Sequence, residues 1–190
     1  MIIAIKEEDK VVLAYSSFDG LFPVTCNDMA NCENVGLWKV KGNPHTVMGC
    51  VFPSAESDAF RYEEKIFKGK INYDNLTDEI VPSMEEFAKD KEYIGDDKGR
   101  YEEFLIAQKG RLFHISSEHV ITEIDSSVVI SLVGGELAMG VLYATEGEQT
   151  LDRIRKIFEF TAHEKQYECY PISVMDTRTG KLRILNKARN

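Results

Sequence analysis

From Val128 to Leu132 apolar positions follow one another without polar alternation, and beyond them Leu137, Ala138, Val141 and Ala144 recur at helical spacing. A β-branched run of this kind needs cover on both faces and predicts a central strand. The strand turns directly into a helix, with Gly134 and Gly135 at the junction. Paired glycines there permit either a positive φ or the close approach of another backbone or a ligand, so the corner is a packing point or a binding site.

The same reading along the chain gives a hairpin from Ile2–Lys6 and Lys10–Ser16, an irregular stretch from Ser17 to Glu33, and a second hairpin from Val35–Val40 and His45–Phe52. Ser54 is placed to cap a helix whose apolar face is Ala55, Ala59, Tyr62, Ile66 and Phe67, with Gly69 as its stop. A second helix is expected from Thr77 toward Lys91, kinked or restarted at Pro82. Four short strands follow at Phe104–Gln108, Arg111–Ile115, Val120–Ile124 and Val128–Leu132, with the tightest turn at Lys109-Gly110. Gly147 closes the third helix, and Thr150 caps a fourth whose stripe is Leu151, Ile154, Ile157, Phe158 and Ala162. The last hairpin is Tyr170–Met175 and Lys181–Leu185. Strands that are apolar on both faces require helices on one side and a second sheet on the other, which predicts an α+β fold, a four-layer αββα sandwich in a single domain over residues 1–190.

Composition narrows the function. The 190 residues carry a formal net charge of -9, which argues against nucleic acid as a partner because phosphate binding needs clustered Lys and Arg. No apolar run is long enough for a membrane span, and the first residues lack the pattern of a secretion signal, so the expected location is the cytoplasm. Cys26, Cys32, Cys50 and Cys169 have no metal-ligand spacing and read as thiols. His114 and His119, with Glu118 and Glu123 nearby, are expected on an outward sheet face, since two histidines without a converging third ligand make a poor metal site. Asp96-Asp97 reads as a turn, and His163 with Lys165 complements a helix C-terminus. Neither a metal nor a cofactor is expected.

Several local patterns resemble the proteasome-type N-terminal nucleophile (Ntn) hydrolases. Ile3-Ala4-Ile5 and Val11-Val12-Leu13-Ala14 resemble the first hairpin of the bacterial HslV peptidase and of proteasome β subunits. Lys39-Val40 resembles the family's Lys-Val strand, Ser57-Asp58-Ala59-Phe60 the start of its first helix, and Gly134-Gly135 with Ala138 its Gly-Ser-Gly-Gly turn and helix. Phe104 to Ala107 and Gly134 to Gly140 are similar to phage and prophage-encoded proteasome-like proteins.

The resemblance implies a site whose nucleophile is the hydroxyl of an N-terminal threonine, with the free α-amine as base. Here Met1 stands at or next to that position, and a thioether cannot attack a carbonyl. Ser16 stands where the family has aspartate, and Val133 where its turn has serine, with Leu132 before it; Gly134 and Gly135 complete that turn. Lys39 is the one expected catalytic residue present. The resulting expectation is a degenerate Ntn hydrolase that self-associates, with a ring as one such assembly, and binds a peptide or protein. The alternatives are a threonine-type endopeptidase whose nucleophile lies upstream of Met1, and a hydrolase using Ser16, Ser17 and Lys39.

Overall fold

A computed structural model describes residues 1–16, 36–50, 55–91, 103–131, 134–166 and 168–187. Its strands form two antiparallel five-stranded sheets, and the protein is of mixed α+β type. In the first sheet β1 (Ile2–Lys6) pairs with β2 (Val11–Tyr15), Ile2 opposite Tyr15 and Lys6 opposite Val11. The second sheet follows chain order: β3 (Leu37–Lys39), β4 (Thr46–Cys50), β5 (Phe104–Gln108), β6 (Arg111–Ile115) and β7 (Ile121–Glu123). The remaining strands, β8 (Val128–Ile130), β9 (Ile172–Asp176) and β10 (Arg183–Leu185), complete the first sheet in the order β10-β9-β2-β1-β8.

That order corrects the expectation for the Val128 run. β8 lies at a sheet edge. Its Val129 packs against helices while Val128 and Ile130 turn to the other sheet, so both faces are covered without the strand being central.

Alternation along the strands divides the interior into three cores. Ile2, Ala4, Leu13 and Tyr15 meet Leu37, Val47, Leu105 and Leu112 between the sheets. On the outer side of the first sheet, Ile3, Ile5, Val12 and Ala14 meet α4 (Gly135–Ala144) and α5 (Thr150–Lys165). On the outer side of the second, Met48, Phe104, Ile106 and Phe113 meet Phe60, Leu76, Ile80 and Met84.

Those last residues come from the helices after β4. α1 (Ala55–Tyr62) ends earlier than its apolar spacing predicts; Ile66 and Phe67 are buried from a turn, and Tyr62 is exposed. α2 (Tyr73–Asn75) begins four residues before Thr77, with Asn72 as its cap: the Asn75 N–H donates to Asn72 Oδ1 at 2.8 Å. A π turn over Leu76–Ile80 then leads into α3 (Val81–Asp90). The Val81 N–H reaches back five residues to the Leu76 carbonyl, and this wide turn just ahead of Pro82 accommodates a ring that has no N–H to give. Thr150 is not a cap either. Gln149 precedes α5 in extended backbone, and Thr150 Oγ1 donates to Glu7 Oε1 at 2.5 Å, tying the helix to the β1–β2 turn.

The hairpin turns gather at one end of the molecule. Val11 N–H donates to Thr177 Oγ1 (3.1 Å), which donates to the Lys109 carbonyl (2.5 Å), and Arg178 pairs with Asp9. Met1, Ser16 and the start of β3 lie at the opposite end.

Candidate active site

The head of β1 is held by its neighbours in the sheet. Met1 is 1% exposed; its amino nitrogen donates to the Ser16 carbonyl at 3.3 Å, and the Ser16 N–H donates to the Met1 carbonyl at 3.2 Å. Ser16 continues β2 and is equally buried. Its hydroxyl donates to the Cys169 carbonyl at 2.9 Å, a contact across 153 residues of sequence. The Met1 side chain shares a core with Cys169, Ile172 and helices α4 and α5. Met1 and Ser16 are thus neighbours in an apolar, hydrogen-bonded setting.

Lys39 is not brought to them. A Cβ on Gly36 would stand 2.6 Å from the Tyr15 ring, which fixes the start of β3 beside the Met1 end. β3 then carries Lys39 three residues, about 10 Å, farther on. Its side chain lies against Gly180 in the β9–β10 turn, where an added Cβ would meet Lys39 Cδ at 2.8 Å. In the β3–β4 hairpin Lys39 stands opposite Val47.

Gly134 heads α4 with φ +76°, and a Cβ there would approach Thr161 Cγ2 of α5 to 2.7 Å. The close neighbour is a helix, so Gly134 is a packing corner. Gly135 has more room, its nearest neighbour being Ser131 Cβ at 3.9 Å. Val133, Leu132, Ser17, Cys26, Cys32 and Asp96-Asp97 lie outside the described residues.

Around this end two groups, Cys169 and Tyr170, are held toward their neutral forms. Burial above all, with the Glu159 carboxylate second, pushes the Cys169 thiol up to about 11 from 9.0. Burial first, then the hydrogen bond to Glu159, raises the Tyr170 phenol. A thiol so placed is a poor nucleophile near neutral pH. Because the folded value lies above the unfolded one, the stability it contributes is complete below pH 9 and is lost as the pH rises toward 11. Urea unfolding from pH 7 to 10.5 is expected to show this fall, smaller in Cys169→Ala, and iodoacetamide at pH 8 should spare Cys169 until the chain is denatured. Labelling of Cys169 in the folded protein would contradict the assignment.

Three of the histidines have carboxylate neighbours. His114 Nε2 lies 3.4 Å from Glu103, and His119 Nδ1 pairs with Glu85 of α3. Glu123 is taken by Arg111 through two contacts of 2.7 Å, which hold its carboxyl below the ordinary range. His163, at the end of α5, contacts Glu164. Among the described residues no three His, Cys, Asp or Glu converge to hold a metal, and no helix is long and apolar enough to cross a membrane. Cys169, expected as a free thiol, is buried here, and the Tyr170–Glu159 pair carries no signal in sequence, since it joins residues on separate elements.

No family model matches the chain, and no curated protein is similar to it in sequence. Solved structures are similar in fold. A structure of Thiobacillus denitrificans BPH in complex with epoxomicin matches with a TM-score of 0.69 at 14% identity, over 92% of this chain and 96% of that one. Another of Thiobacillus denitrificans BPH matches with a TM-score of 0.66 at 15% identity over the same shares. At such identity the likeness shows the fold alone.

Proposed function

We propose that this chain is a proteasome-subunit-like protein with the αββα stacking of the Ntn hydrolases that does not hydrolyse peptides and acts by self-association and by binding a peptide or protein. The reading rests on the packing at the head of β1. The position of the family's aspartate is a serine whose hydroxyl is occupied by a backbone carbonyl, and the expected lysine is out of reach. General-base chemistry needs those groups within hydrogen-bond distance of the attacking atom. Self-association is supported by α4, which is apolar along most of its length and leaves Tyr143 64% exposed.

Fluorogenic peptides are expected to show no turnover, and sedimentation should give a particle heavier than one chain. A monomer that cleaves peptides would overturn both halves. The fold likeness to BPH, solved with epoxomicin, favours a second reading, a threonine-type peptidase whose nucleophile lies upstream of these residues. Turnover that survives Ser16→Ala would point there; turnover abolished by both Ser16→Ala and Lys39→Ala would point to a Ser16 and Lys39 hydrolase.

A further inference from the structure

We infer that the outer edge of β10 accepts an extended segment of a partner protein whose residues alternate between acidic and apolar; this rests on the binding half of the reading above. β10 is the last strand of its sheet among the described residues. Which of its backbone groups are free follows from its neighbours. The Thr177 N–H donates to the Val11 carbonyl at 3.0 Å, so by antiparallel alternation Met175 and Ser173 turn their N–H and C=O groups toward β2, and Val174 and Ile172 turn theirs toward β10. Arg183 and Leu185 stand opposite Val174 and Ile172 and pair with them. Leu182 and Ile184 therefore direct their N–H and C=O groups outward, and no described strand takes them.

The two faces of this edge differ. Val174 packs with the helices, so Arg183 opposite it lies on the helix side of the sheet. Lys181, two residues earlier, lines the same cavity of about 410 Å³ with Arg183, Val174 and Leu151. Both cations are exposed, and neither is in an ion pair among the described residues. The carboxylates of that cavity are engaged: Glu7 with Lys10 at 3.0 Å, Glu148 with Lys156 at 2.6 Å, and Asp176 with the N–H and hydroxyl of Thr179. On the opposite face Met175 lies between the sheets, and Ser173 with the facing Ile184 shares that side. Ile184 is 46% and Leu182 43% exposed, so this apolar pair is uncovered.

An antiparallel strand added about 4.8 Å outside β10 would exchange hydrogen bonds with Leu182 and Ile184. Its side chains would then alternate between Leu182 and Ile184 on one face and Lys181 and Arg183 on the other, so apolar residues meet the first pair and carboxylates the second. A second copy does not fit. A two-fold axis across the edge keeps each face on its own side, which would set Lys181 and Arg183 against their own counterparts.

The probe is a fluorescein-labelled Val-Glu-Val-Glu-Val-Glu-Val peptide added to the full chain. Beside it stand a version with Lys for Glu and one N-methylated at its valines, whose N–H groups would face Leu182 and Ile184. Saturable anisotropy is expected for the first peptide alone, weakened about tenfold or more by Arg183→Glu and by Lys181→Glu. Lys68→Glu, the same charge change at an exposed position beside the helices of the second sheet, should leave it unchanged. Amide exchange at Leu182 and Ile184 should slow with peptide bound. Both variants alter exposed side chains, and unchanged melting curves certify their fold. No binding by the native chain, equal binding by the two charge variants, equal binding of the N-methylated peptide, or protection that appears with protein concentration alone would overturn the inference, the last assigning the edge to a second copy. Binding indifferent to β10 would place the peptide elsewhere and leave the reading of the head of β1, tested by turnover and sedimentation, standing.

Discussion

Phe104→Ala will destabilise the protein by about 3–5 kcal/mol, a large share of the ~5–15 kcal/mol that holds an ordinary domain folded. Phe104 is 1% exposed on β5, where the second sheet meets its helices. Its ring stands edge-on to Trp38 at 6.4 Å and to Phe60 at 5.9 Å, and Phe60 in turn packs on Phe87 at 5.6 Å. Removing it leaves a cavity walled by aromatic rings that belong to separate elements and cannot close together. The urea midpoint should fall with little change in slope. Phe160→Ala is the control: that ring is 45% exposed on α5, and its loss should stay within about 0.5 kcal/mol. A comparable fall for both variants would show that the core is not organised around β5.

Gly134→Ala is expected to cost about 2–4 kcal/mol, from two sources. A left-handed φ costs an L-residue roughly 1–2 kcal/mol, and the new Cβ would be driven against Cγ2 of the buried Thr161. Thr161 has little freedom to yield, because its hydroxyl is committed to the Ile157 carbonyl at 2.7 Å. The double variant Gly134→Ala with Thr161→Ser tests the mechanism. Deleting the methyl that would be struck should restore the steric part and leave the backbone part. No recovery in the double variant would place the whole cost in the backbone.

The strands were legible because a period of two survives any arrangement of the sheets. The apolar run Val128–Leu132 predicts cover on both faces, which the strand Val128–Ile130 has, but not its place in the sheet, since an edge strand between a helix layer and a second sheet carries the same apolar run as a central one. The end of α1 was misread because Ile66 and Phe67 keep helical spacing while being buried from a turn. Pro82 announced an irregularity, and a π turn ahead of the ring supplied it. At the site, the first hairpin carries Met1 and Ser16 to one end of the sheet, while the position of Lys39 depends on where the β3–β4 hairpin closes. The hydrogen bond from Ser16 to Cys169 joins residues at opposite ends of the chain, and no pattern in sequence reports it.

The central claim is that the head of β1 is a packed, non-nucleophilic end of the sheet. Intact-mass measurement after prolonged incubation with epoxomicin, the compound present in the BPH complex, tests it most directly. The predicted result is an unchanged mass and a peptide map in which residues 1–16 carry no addition. A stoichiometric adduct on that segment would contradict the account.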